Sequence, residues 1–366
     1  MEAQVVAALE ASDYQQVTRL LKQWQVDEPA NPLLRLYAAL LQERTNRLAA
    51  AEKNYLQLLK QAPHNKVMSQ ARAGLNRIQQ QQALQKAEAL EQARKILGGD
   101  EVAILAVSSP PPEGRQQAIA GLAQVFNLDP YTARLKLPSS GFRIYRTGTW
   151  GEVSYYAQAL KQAHTPTLVA KVSEVKALQT FQVDYFESLT PQPTVLCKNS
   201  AGQLGTIRFD WTEVSQQVSG QLPIFEQVVD LGPWGRTVHK EKVQDYAQVV
   251  DFHLAGRQIV LRLCDRLYHY QKGISLTKNE LNSRIQWNQL LAKLGQSIQV
   301  PHHSDFTRFG KSALEFINLL PPIHPNLDID RRAPSHWDPA FHLYSSLCYF
   351  SDKVPESGSL ESTVAK

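Results

Sequence analysis

The stretch NRLAAAEKNYLQLLKQAPHN, residues 46–65, places Leu48, Ala51, Tyr55 and Leu58 at i, i+3, i+7 and i+10, the spacing of one helical face. Thirty-four residues earlier, SDYQQVTRLLKQWQVDEPAN, residues 12–31, carries Tyr14, Val17, Leu21 and Trp24 in the same places. Both copies close on a proline and an asparagine, Pro29 and Asn31 in the first, Pro63 and Asn65 in the second. One helix pair cannot bury its apolar face until a neighbour covers it, so self-similarity at this period predicts stacked helical hairpins. KVMSQARAGLNRI, residues 66–78, is the helix expected to cap the stack.

The pattern resembles the tetratricopeptide repeat over residues 1–80. The closing proline matches Pro29 and Pro63, the small residue early in the second helix matches Ala51, and the aromatic four residues later matches Tyr55. In the first copy Val17 and Leu21 replace the last two. The resemblance implies a protein-docking surface with no catalytic chemistry. The family's Lys and Asn carboxylate clamp is absent, because its positions hold Glu2 and Val6 in the first copy and Leu36 and Leu40 in the second. Any groove is therefore expected to be apolar, with Leu36, Tyr37 and Leu40 as its partner-binding residues.

Outward from the repeats, QQQQALQKAEALEQARKILGG is rich in good helix formers and stops at Gly98-Gly99, so residues 81–99 read as a helical spacer. Between 100 and 178 the patterns run strand, helix, helix, strand, helix, strand: EVAILAVSS, RQQAIAGLAQVFNL, YTARLKL opened by Asp129-Pro130, GFRIYRTG, WGEVSYYAQALKQA and TPTLVAKVSEV. In element order this is similar to the small α/β domain shared by the C-terminal domain of the ribosomal stalk protein and the ClpS adaptor, both of which bind proteins. Gly114 and Gly121 do not form the Gly-rich turn before a helix that a phosphate loop needs.

From 179 to 273 the period shortens to two. FQVDYFE, TVLCK, LGTIRFDW, PIFEQVV, VVDFHL and QIVLRL alternate in the manner of an antiparallel sheet with one face on a core. NSAG, residues 199–202, and Ala255-Gly256-Arg257 are the expected connections. Residues 274–350 read as helices. TKNE, residues 277–280, is a capping box opening LNSRIQWNQLLAKLG with a stripe of Leu281, Ile285, Leu290 and Leu294. GKSALEFINLLPP is the second helix, and SHWDPAFHLYSSLCYF the third, with Ser335 as N-cap and Phe341, Tyr344 and Leu347 inward. The tail, 351–366, has no apolar period and is expected to be disordered. The expected fold is thus multidomain α+β: an N-terminal α-solenoid of two tetratricopeptide-like hairpins plus a capping helix, a small α/β and antiparallel β middle, and a helical C-terminus.

Composition narrows the function classes. With 43% hydrophobic and 20% charged residues, the chain is that of a folded globular protein. A net charge of +5 over 366 residues is weaker than a dedicated nucleic-acid binder concentrates. MEAQVVAALEASDYQ lacks a basic segment before an apolar run, and no apolar stretch is long enough for a membrane helix, so no membrane span and a cytoplasmic location are expected. Cys197, Cys264 and Cys348 are odd in number and widely spaced, fitting neither a disulfide framework nor a metal knuckle.

Four sets of residues carry candidate chemistry. Leu36, Tyr37 and Leu40 are the partner-binding set already named. In LRLCDRLYHYQKG, Arg262, Arg266, Tyr268, His269 and Tyr270 interleave basic and aromatic groups suited to neutralise phosphates and stack bases. His302, His303 and Asp305 offer metal-ligand types without a standard ligand spacing, so no metal and no cofactor is expected. Asp251 and His253, two apart on a strand, point to one face and suit an acid/base pair, but no nucleophile is recognisable beside them. The reading that follows is a non-enzymatic adaptor or assembly factor binding a protein partner through the repeat groove. The alternatives are an RNA- or ribosome-associated protein and a metal-dependent hydrolase. ALEFINLLPPIHP and WDPAFHLYSSL, with the glutamine-rich style, are similar to repeat proteins of cyanobacteria, which implies assembly of a photosynthetic or other large complex as the adaptor's setting.

Overall fold

The computed structural model describes residues 1–61, 65–96, 98–231, 237–276 and 282–351, with backbone alone over 228–231 and 237–240. Pro63, the TKNE capping box with Leu281, and residues 352–366 lie outside the described residues. The chain forms two compact units, Met1–Gln92 and Ala93–Lys366.

The first unit is built from five helices, α1 (Glu2–Glu10), α2 (Tyr14–Asp27), α3 (Pro32–Arg44), α4 (Leu48–Gln61) and α5 (Asn65–Arg94), the last of which carries the division between units in its final turn. α2 and α4 begin and end thirty-four residues apart, and the repeat positions behave alike: Val17 and Ala51, Leu21 and Tyr55, Trp24 and Leu58 are all buried. Asn31, with Pro32 at the first helical position, caps α3 by accepting from Leu33 N–H. Two small cores result, one around Trp24 and Tyr37 and one around Leu36, Tyr55 and Ile78. The expected capping helix and spacer are one continuous element, α5, because nothing between Arg77 and Arg94 interrupts a run of good helix formers.

The second unit opens with β1 (Val102–Ser108), α6 (Arg115–Phe126), α7 (Pro130–Lys136), β2 (Phe142–Thr149), α8 (Trp150–Gln162) and β3 (Thr167–Lys171), in the order read from the sequence, followed by a short α9 (Val172–Ala177) that the sequence reading missed. The three strands form an antiparallel sheet, β2-β1-β3. Asp129 caps α7 ahead of Pro130 as expected.

A larger sheet follows from β4 (Gln179–Ser188), β5 (Thr194–Lys198), β6 (Leu204–Arg208), β7 (Gln216–Leu231), β8 (Thr237–Leu254), β9 (Ile259–Cys264) and β10 (His302–His303), in spatial order β10-β7-β8-β9-β4-β5-β6. The sheet is mixed rather than purely antiparallel, since β9 runs parallel to β4 and β10 parallel to β7. α10 (Ser283–Ser297), α11 (Phe306–Ile317) and α12 (Trp337–Ser351) complete the unit. In α10 Trp287, Leu290 and Leu294 are buried while Ile285 is exposed, so the buried stripe is rotated from the expected one and Asn282 supplies the cap.

α12 is the packing centre. From Ala340 to Tyr349 every residue is buried, so the helix meets protein on all sides rather than along one stripe. It shares one core with Ile104, Ala106 and Ile144 of the small sheet, Val218, Leu222 and Ala247 of the large sheet, and Phe306 and Phe309 of α11. Gly220 lets this happen, because a Cβ there would collide with the rings of Phe306 and Phe341. A second core, around Phe186, Phe209, Phe252 and Trp287, covers the opposite face of the large sheet.

Candidate functional site

The strand registers place polar residues in a row across the large sheet. Asp251 of β8 lies opposite Arg262 of β9, Arg262 opposite Gln182 of β4, and Gln182 opposite Lys198 of β5. Period-two alternation puts these side chains with Gln216, His253 and Thr180 on the face that α12 covers. Arg262 donates to Asp251 Oδ1 and Oδ2 at 2.9 and 2.7 Å, and both side chains are fully buried. The guanidinium also donates to the Pro325 carbonyl and lies 5.0 Å from the Phe341 ring. Its Nη1 is 3.4 Å from His342 Nδ1, which must accept, and His342 Nε2–H then donates to the Val175 carbonyl at 3.3 Å.

Ser345 of α12 donates to Asp251 Oδ2 at 2.6 Å, so its oxygen accepts from His253 Nε2–H at 2.8 Å. Asp251 and His253 therefore do share a face, but their meeting point is a buried hydroxyl whose proton is directed to the carboxylate and away from the imidazole. A serine nucleophile needs the reverse arrangement, with the imidazole accepting that proton and the oxygen open to substrate. The group acts as a cross-brace. Burial drives the His253 pKa down to about 4, with Arg262 adding to the fall and Asp251 opposing it; burial and then Arg262 drive His342 down to about 3. Both rings are neutral near pH 7.

The basic and aromatic segment folds back on the sheet, with most of its side chains held by internal contacts. β9 ends at Cys264, and residues 265–273 turn back over the second core. Arg262 is spent on Asp251; Tyr268 is buried with its hydroxyl accepting from Phe186 N–H at 3.1 Å; Tyr270 donates to the Asp265 carbonyl at 2.9 Å; and exposed Arg266 is paired with Asp245. Only His269 of the five keeps a half-exposed side chain without a bond shorter than its 3.9 Å approach to Asp184.

The histidine cluster is likewise dispersed. His302 and His303 are successive strand residues and point to opposite faces. His302 meets Ser219 at 2.8 Å, while Asp305 accepts from Ser140 at 3.0 Å. Among the described residues no three His, Cys, Asp or Glu side chains converge to hold a metal ion. Nor do Leu36 and Tyr37 line a groove: they are 1% and 8% exposed and sit in the two cores of the helical unit, Tyr37 donating to Glu2 at 2.9 Å. Leu40 is half-buried between those cores. The groove of this unit lies elsewhere, a cavity of ≈ 670 Å³ between α2, α3 and α4 that includes Leu21, Leu34 and Leu58 with Lys22 and Arg35.

Two features of the second unit were not anticipated. The first is a cavity of ≈ 1210 Å³ where the polar row runs out from under α12, bounded by the ends of β4 and β5 and by the proline-rich segment 322–328. Asn326 pins that segment, its amide donating to the carbonyls of Thr180 and Lys198. The second is the length of the β7–β8 hairpin. β9 pairs with β8 only from Val249, and β10 with β7 only at Gln217 and Val218, yet β7 and β8 remain paired out to Leu231 and Thr237. Seven residues of each strand, 225–231 and 237–243, therefore run on with no other strand beside them among the described residues, an arm of about 24 Å at ~3.4 Å per residue.

At the base of this arm Phe225 pairs with Val243 and Pro223 with Tyr246, and the bulge at Gln244 keeps these pairs on one face. Phe225, Val243 and Tyr246 are 37%, 42% and 47% exposed. The sequence signal for the buried brace was present: a lone arginine inside IVLRLC and a lone aspartate inside VVDFHL are charges in runs that otherwise read as core.

Compared with protein-family models, with curated proteins and with solved structures, the chain matches none. Among the described residues no helix is long and apolar enough to cross a membrane.

Proposed function

We propose that this chain is a non-enzymatic adaptor or assembly factor that holds another protein, with the β7–β8 arm as its principal contact. The observation that carries the reading is the exposed apolar face of Phe225, Val243 and Tyr246 at the root of a hairpin that leaves its sheet. A two-stranded ribbon is marginal in water by itself, and exposed aromatic groups on it gain most when a partner covers them. The helical unit supports the same reading. Its thirty-four-residue hairpins resemble tetratricopeptide repeats, and the groove between α2, α3 and α4 combines apolar Leu21, Leu34 and Leu58 with basic Lys22 and Arg35, a lining suited to an acidic amphipathic segment. Three buried cysteines that form no disulfide among the described residues suit a reducing, cytoplasmic setting.

The test is site-specific photocrosslinking in the native cells from position 225, with exposed Tyr131 as the control position. One discrete adduct from 225, absent from 131 and lost when Val243→Asp and Tyr246→Asp are added, is expected. The same diffuse pattern from both positions would sink the reading.

A further inference from the structure

At its open end the polar row borders the cavity with a buried hydroxyl that has no partner. Gln182 lies beside the fully committed Arg262, is only 6% exposed, and borders the ≈ 1210 Å³ cavity, yet its amide makes no hydrogen bond among the described residues. One pleat along the same strand, on the same face, Thr180 Oγ1 is buried and also without a partner. A buried hydroxyl left unpaired is costly, because nothing replaces the water it lost. Gln216 Oε1 and His253 Nδ1 on the same face are also buried without a partner, but of these only Thr180 borders the cavity, where a ligand could reach it.

The rest of the lining says what would satisfy it. Lys176 at α9 and Lys198 at the end of β5 bring two positive charges, set against the carboxylate of Asp328 in the lining and that of Asp184 beside Lys198. Lys198 stands 3.1 Å from buried Asp184, which fixes its position, and its side chain stays about one-third exposed at 36%. His324 adds a further hydrogen-bonding group, while Phe181, Leu267 and Leu327 give apolar wall.

We infer that this cavity binds a small organic anion, its carboxylate or phosphate group held by Lys198 and Lys176 and its hydrogen-bonding body met by Gln182 and Thr180. The site is independent of the arm and of the adaptor reading. Asn326 ties the segment 322–328 to the strands beside the cavity, and Pro325 of that segment accepts from Arg262, so the site is joined directly to the buried brace.

The test uses the full chain with glutamine side chains labelled with nitrogen-15, the Gln182 amide signal being the one lost in Gln182→Leu. Inorganic phosphate and glutarate are titrated separately while that signal is followed. A saturable shift with phosphate assigns a phosphorylated ligand, and one with glutarate a carboxylate. In either case Lys198→Met weakens binding by tenfold or more, and Lys198→Arg, which keeps a cation beside buried Asp184, retains both binding and the unfolding transition. Lys176→Met weakens binding in the same way. No saturable shift with either probe, or a shift that survives both Lys198→Met and Lys176→Met, overturns the inference.

Discussion

Asp251 and Arg262 face each other on adjacent strands, joined by two hydrogen bonds, with neither side chain exposed to solvent. A buried pair of this kind stabilises little compared with an apolar pair of the same shape, because desolvation offsets the attraction, but losing one member strands a charge. Arg262→Met is therefore expected to cost about 3–5 kcal/mol, and the double variant Asp251→Leu with Arg262→Met distinctly less than the single one. Urea unfolding of the three proteins measures both; a double variant as damaged as the single would show that the pair is intrinsically stabilising.

Acid should weaken the second unit before its carboxylates titrate. His253 and His342 have folded pKa values of about 4 and about 3, below the ordinary 6.5, so the unfolded chain takes up their protons first. Their contribution is fully present above pH 6.5 and is lost as pH falls toward 4, at up to about 1.4 kcal/mol per pH unit for each ring. Asp265 and Asp338, whose carboxyls burial holds above their usual range, act in the opposite sense at the lower end of that window. Unfolding free energies measured from pH 7.5 to 4.5 should fall, and the slope should flatten in His253→Asn.

Gly74 sits in α5 against the ring of Tyr55, where an added Cβ would overlap the ring carbons. Alanine is the better helix former by about 1 kcal/mol, but Tyr55 is fully buried and its hydroxyl is tied to Glu43 at 2.6 Å, so the ring has little room to yield. Overpacking of this kind costs about 1–3 kcal/mol, which outweighs the propensity gain. Gly74→Ala is expected to lower the unfolding midpoint of the helical unit; a rise would mean that the ring moves freely.

The cysteines should be silent in the native state. All three are buried, and burial raises the Cys197 thiol to about 11 and the Cys264 thiol to about 12, leaving almost no thiolate at pH 8. A thiol reagent at that pH should label none of them until denaturant is added and all three afterwards. Rapid native labelling would contradict the packing around α12 and β9.

Much of the architecture was legible because local pattern and long-range packing agree. The repeat positions Val17 and Ala51, Leu21 and Tyr55 are buried together, and Asp129-Pro130 caps a helix as its chemistry demands. What the sequence withheld depends on partners far along the chain. Leu36 and Tyr37 read as groove residues from their place in the repeat, but the core-facing stripe of α3 passes through them. Arg262 and Tyr268 read as a basic and aromatic surface because composition cannot tell a charge facing water from one facing Asp251. His302 and His303 are neighbours in sequence and diverge in space because a two-residue strand separates their faces. The orphaned Thr180 hydroxyl becomes visible only once Arg262 and Asn326 are seen to have partners.

α12 is the last of the described elements to leave the ribosome, yet it is the one on which both sheets and α11 converge. Its contacts reach far back, Ser345 to Asp251 and His342 to Val175, so the large sheet cannot be closed on that face until synthesis has passed residue 349. The helical unit, whose cores join helices adjacent in sequence, can form while the rest is still being translated. The consequence is an interval during synthesis in which a nascent sheet with an uncovered polar row waits for α12.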